Sequence, residues 1–95
     1  MIIASIKGHA ETVRLLIAAG ADINHSDENG VTALLFAVDK GFEATARVLI
    51  DAGADVNKAE NRGNTPLDIA SHHNYDAVVR MLRDAGARLG AGTVI

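Results

Sequence analysis

The chain has 95 residues, enough for one small domain. Hydrophobic residues make up 48% of it but aromatics only 3%, so its apolar content is Ala, Leu, Ile and Val, the material of closely packed slender helices. A net charge of −3 leaves no electrostatic footprint for nucleic acid, and the absence of cysteine removes disulfides and thiolate zinc sites.

In chain order, the apolar opening from Met1 to Ile6 meets Lys7, His9 and Glu11 at once. That run is too short for a signal-peptide core or a membrane span, so a soluble, cytoplasmic protein without membrane contact is expected. Residues 1–7 would form a first helix of under two turns, with little stability of its own. From Lys7 to Asn24 the chain runs KGHAETVRLLIAAGADIN, and from Lys40 to Asn57 it runs KGFEATARVLIDAGADVN. In 11 of these 18 aligned positions the residue is the same. Gly8 and Gly41, then Gly20, Gly53 and Gly86, then Gly30 and Gly63, all stand 33 apart. A third copy keeps Arg80, Leu82, Ala85, Gly86 and Ala87 in register. Self-similarity at one fixed period signals a solenoid of stacked units, each burying its apolar face on a neighbour.

The second copy shows the unit most fully. After Thr32, the run Leu34, Phe36, Ala37 and Val38 predicts a short apolar helix that Gly41 breaks. Residues 44–52 form a second helix, with Ala46, Val48, Leu49 and Ile50 expected inward. Gly53 falls where the residue after a helix takes positive φ, which glycine does without steric cost. Residues 55–64 are polar and turn-rich, and Asn29-Gly30 and Arg62-Gly63 mark tight reversals. Thr65-Pro66 then opens the next helix, with threonine as N-cap and proline at the first helical position.

Thr65-Pro66-Leu67-x-x-Ala70, the GADVN of residues 53–57 and the 33-residue period together resemble the ankyrin repeats. The resemblance covers about residues 1–89. It implies a mainly α fold, an α-solenoid of about two and a half to three helix-turn-helix units joined by β-hairpin-like loops. The whole chain is then one domain, with units at about 1–26 (truncated at its start), 27–59 and 60–92. Departures from the family pattern are Ala33 in place of proline, Leu35 and Asp68 in place of histidine, and Asn74 in place of the inter-helix glycine; each is expected to weaken its turn. Asn24 and Asn57 resemble family asparagines that hydrogen-bond within the loop.

The ends differ from the middle. Met1 aligns with Leu34 and Leu67, so the first copy lacks a hairpin and an N-cap. Either the array is longer than this chain or its first helix is frayed. At the other end Arg83 stands where Ile17 and Ile50 stand, and Ser71 where Val38 does. Polar residues there are what a capping unit needs, so the array is expected to stop at residue 95.

No cysteine nucleophile, G-x-S-x-G, phosphate-cradling glycine loop or H-E-x-x-H is present, and the carboxylates are spread at repeat spacing. No enzyme and no cofactor are expected. His72 and His73 are adjacent on a helix end, about 100° apart, which is wrong for one shared metal ion. His9 matches Phe42 and Tyr75 in register and reads as a packing residue. Arg14, Arg47 and Arg80 form a ladder at the 33-residue period. Glu11, Glu43 and Asp76 precede them at ion-pair spacing, which reads as a solvated face.

Positions that differ between copies while pointing outward are free to serve recognition. In the loops Glu28, Asn29 and Val31 oppose Asn61, Arg62 and Asn64; at the inner-helix ends Asp39 and Lys40 oppose His72 and His73. The ankyrin resemblance implies that these ten residues line one concave surface that holds a protein partner. The expected function is therefore a protein-protein interaction module. The alternative is a self-associating fragment, or a regulatory part of a larger protein, assembling through an uncapped apolar edge at Met1, Ile2 and Ile3. In solution that is a monomer or a weak homo-oligomer.

Overall fold

A computed structural model describes residues 9–90 and places five helices and no strand among them. They are α1 (Ala10–Ala18), α2 (Ala33–Lys40), α3 (Glu43–Asp51), α4 (Pro66–His73) and α5 (Asp76–Asp84). Helices α2 and α4 start on threonine caps. The Thr32 hydroxyl accepts from Leu35 N at 3.2 Å and that of Thr65 from Asp68 N at 3.3 Å. Asp68 answers by accepting from Thr65 N at 2.9 Å, closing a capping box. Asp68 therefore strengthens the turn that it was expected to weaken.

The second helix of each unit begins without a side-chain cap, after His9, Phe42 and Tyr75, but carries Glu11, Glu43 or Asp76 in its first turn, where the helix dipole favours negative charge. Gly53 follows α3 at φ +92°, as its position in the motif requires. Asn74 sits in the left-handed region at φ 59° and holds the α4–α5 turn that Gly41 holds between α2 and α3. Asparagine enters this region more easily than other side-chain-bearing residues, so the expected weakening is small.

The inner helices α2 and α4 pack side by side, while α1, α3 and α5 form an outer row behind them. Between the rows lies a core in which Val13, Leu34, Leu35, Val38, Leu49 and Leu82 are fully buried, with Ala33, Ala37, Ala46 and Ala70 at the close approaches. Truncating Leu49 or Leu82 to Ala would cost about 2–5 kcal/mol, because neighbours close such a cavity only partly. In α3 the buried stripe is Thr45, Ala46 and Leu49, whereas Val48 and Ile50 are only half-buried. Helical geometry puts residues three and four apart on one face, and that face is narrower than the run of apolar residues.

Side chains staple one unit to the next. Asn24 Oδ1 accepts from Asp55 N at 2.8 Å, and Asn57 Oδ1 from Arg88 N at 2.7 Å. These asparagines thus bond between units, while Asp22 and Asp55 make the bonds within each loop, to Asn24 N and Asn57 N. Residue 90 is glycine where the two earlier units carry asparagine. At the outward face of the last unit Ser71 and Arg83 are exposed, in keeping with a polar edge. At the opposite edge His9 is exposed, contrary to a packing role, since it has no earlier unit among the described residues to cover. Leu15 is 62% exposed, whereas Met81, in register two units on, is 7% exposed against α3.

Candidate functional site

Two tight loops project beside the inner helices, and one carboxylate organises each. In the first, Asp27 Oδ1 accepts from Asn29 N and Val31 N, both at 2.9 Å. In the second, Glu60 Oε1 accepts from Arg62 N at 2.8 Å and Asn64 N at 3.0 Å. The extra methylene of glutamate leaves Oε2 to meet Arg62 Nε at 3.1 Å. Burial of Glu60 pushes its carboxyl pKa up, but the Asn64 N–H, the Arg62 side chain and N–H and the guanidinium charge outweigh it, so the pKa lies below its ordinary value.

The two loops are also bonded to each other. Asn61 N donates to Asn29 O at 2.9 Å, and Asn61 Nδ2 donates to Glu28 O at 3.0 Å. Gly30 lies under this contact at φ +79°, and a Cβ there would come within 2.5 Å of Asn61 Oδ1. The backbone of both loops is thus held by hydrogen bonds within the chain itself.

Beside the loops, against the inner helices, is a slot of about 130 Å³. Its floor is apolar, from Val31, Leu35, Phe36 and Ile69, and its rim is charged, from Asp39, Glu60 and Arg62. A second groove of about 370 Å³ between the loops shares Val31, Glu60 and Arg62 with it and adds Asn29 and Asn61. Beside the slot, Asp39 Oδ1 meets His73 Nε2 at 2.9 Å across the two inner helices. The His73 ring stacks on Tyr75 at 5.0 Å between centroids, with an interplanar angle of 26°. His72 meets His73 edge-on at 5.3 Å.

Of the ten residues expected to face a partner, Val31, Asp39 and Arg62 converge on the slot, and Asn29 and Asn61 line the groove above it. Glu28, Lys40 and His72 are exposed, and His73 is half-buried against Asp39. One expectation needs correction. Asn64 is 0% exposed: its N–H and carbonyl both bond Glu60, closing the loop with the residue packed inside. Asn61 is exposed, but its amide N–H is committed to Glu28 and zips the loops together. Met1, Ile2 and Ile3 lie outside the described residues.

Glu60, Leu35, Phe36 and Ile69 belong to the slot without having been singled out. Phe36 and Ile69 stand 33 apart, as do Asp27 and Glu60, so the repeat itself carries the signal for both pairs.

A larger groove of about 530 Å³ runs on the convex side between α3 and α5, past Arg47, Asp51, Arg80 and Asp84. A similar one recurs between α1 and α3, past Arg14, Val48 and Asp51, so it follows from stacking any two outer helices. Of the arginine ladder, only Arg14 makes an ion pair among the described residues, with Glu11 at 3.5 Å, and both side chains are well exposed. The residues expected to face a partner lie instead on the side of the loops and inner helices.

No helix among the described residues is long and apolar enough to cross a membrane. Residues 1–92 match a family model described as ankyrin repeats in three copies. A search of curated proteins finds no match to the chain. Ankyrin repeats are in general protein-protein interaction modules and typically non-catalytic. With the model matched over nearly its whole length and the helix-turn-helix stack described above, this chain belongs to the ankyrin repeat family.

Proposed function

We propose that this chain binds a partner protein on its concave face, with the apolar slot and its charged rim as the centre of contact and no chemistry of its own. The observation that carries this reading is the slot itself. Four apolar side chains from both inner helices and one loop meet there beneath loops whose backbone is already fixed by Asp27, Glu60 and Asn61. A preorganised surface loses little entropy on binding, and an apolar centre with a polar rim is the usual anatomy of an interface. The test is affinity capture from the native cell with wild type and with the Asp39→Lys/Arg62→Glu double variant. Partners that copurify with wild type should be lost from the variant. A full set of partners still bound to the variant overturns the reading.

A second reading, assembly through the N-terminal edge, draws on Leu15, whose exposure contrasts with the packed Met81 in register. Light scattering over micromolar concentrations tests it. A mass rising with concentration in wild type and constant in Leu15→Glu supports it, and a strict monomer removes it.

A further inference from the structure

The slot and the groove above it have a definite order of chemistry. Arg62 stands at the loop end and Asp39 at the helix end, with the apolar floor of Val31, Phe36 and Ile69 between. Glu60 lines the same space, but both its oxygens are engaged by Arg62 and Asn64, so its charge is compensated within the loop. Arg62 meets Glu60 through Nε, which leaves its terminal Nη donors on a side chain that is 60% exposed. Asp39 meets His73 through Oδ1, which leaves Oδ2 without a partner among the described residues. One open donor fork and one open carboxylate oxygen therefore flank one apolar hollow.

The size of the hollow sets what enters it. A cavity of about 150 Å³ lined by Leu, Ile and Phe takes one benzene-sized group. At about 130 Å³ the slot has room for a single aliphatic side chain. The groove between the loops continues from it past Asn29, whose side chain makes no hydrogen bond among the described residues and can pair with a peptide backbone.

We infer that the slot takes an extended peptide segment of the partner: an aliphatic residue seated on Val31, Phe36 and Ile69, an acidic residue on its Arg62 side and a basic residue on its Asp39 side. This rests on the reading that the concave face is the binding surface, and adds to it the kind of sequence recognised. Arginine binds carboxylate through a planar fork of donors, which gives the acidic position its geometry as well as its charge. Opposite charges at the two rims reject a peptide with both charges of one sign, because one end then meets its like.

A random heptapeptide display library panned on the intact chain tests this. Wild type should enrich peptides with an aliphatic residue between one acidic and one basic residue. Panning on Arg62→Glu should turn the acidic preference basic, and panning on Asp39→Lys should turn the basic preference acidic. A synthetic peptide from the wild-type pool should bind each variant about tenfold more weakly by fluorescence anisotropy. Should either reversal melt the fold in circular dichroism, Arg62→Gln and Asp39→Asn should each erase one preference and leave the other. Peptides enriched without a charge pattern, or with a pattern that no variant moves, overturn the inference and leave the interaction reading standing. No enrichment of any peptide overturns the inference, while capture of partners by wild type but not by the double variant would still uphold the broader reading.

Discussion

Asp39 and His73 are 34 residues apart in the chain, yet their side chains meet at 2.9 Å between neighbouring inner helices. Among the described residues this is the one contact between units that joins two titratable side chains; Arg14–Glu11 and Arg62–Glu60 each lie within one. About a third of each side chain is exposed, so solvent screens the pair. A double-mutant cycle of Asp39→Asn and His73→Gln should give a coupling of at most about 1 kcal/mol at pH 7. Denaturant titration of the four proteins measures it, and a much larger value would mean that the pair governs stacking of the two units.

Glu60 supplies a pH dependence with a definite sign. Its folded carboxyl lies below the ordinary value of 4.5, so its charged form stabilises the fold above that pH, and the contribution is lost as pH falls through the folded value. Glu60→Gln should therefore be less stable than wild type at pH 7, and the gap should narrow in acid as wild type protonates. Glu60→Ala removes the acceptor for two loop N–H groups and should cost about 1–3 kcal/mol. Thermal melts of the three proteins from pH 7 down to pH 3 check both statements.

Thr45 is 1% exposed and its hydroxyl has no hydrogen-bond partner among the described residues. The residue in register in the next unit is Val78, 2% exposed in the equivalent place. Thr45→Val keeps the shape and removes an unpaired buried polar group, so it should stabilise by about 1 kcal/mol or more. Chemical denaturation at one pH is sufficient, and a loss of stability would show that the hydroxyl has a partner after all.

Gly30 and Gly53 separate two costs of adding a methyl group. Both have positive φ, but only at Gly30 would the new Cβ strike a neighbour, the Asn61 side chain and backbone that zip the loops together. Gly53→Ala should cost about 1 kcal/mol, from backbone conformation alone, and Gly30→Ala distinctly more. Gly30→Ala should also speed amide exchange at Asn61, whose N–H bonds Asn29 O, while Gly53→Ala should not.

The sequence by itself determined the architecture, because the features that make the unit are local and recur. Thr32 and Thr65 cap the helices that they precede, Gly41 and Gly53 take the left-handed turns, and the apolar run from Leu34 to Val38 forms the buried inner helix. Register at 33 residues then aligns equivalent positions without knowledge of any contact. The Thr65-x-x-Asp68 capping box is equally local, yet Asp68 was expected to weaken this turn, and the structure reversed that expectation.

What only the tertiary structure decided is which variable residues belong to the surface and which to the scaffold. Asn64 and Arg62 are neighbours in one polar loop, yet loop closure on Glu60 buries the first and leaves the second open at the slot. Asn61 reads as a free tip residue until the preceding loop's Glu28 carbonyl is placed beside it. Phe36 reads as part of an apolar helix until the next unit is placed beside it, which leaves it half-buried at the slot next to the buried Ile69. Each of these outcomes depends on a partner about 33 residues away or on the closing of a turn. Periodicity reports which residues are equivalent, and packing between equivalent units decides what each one faces.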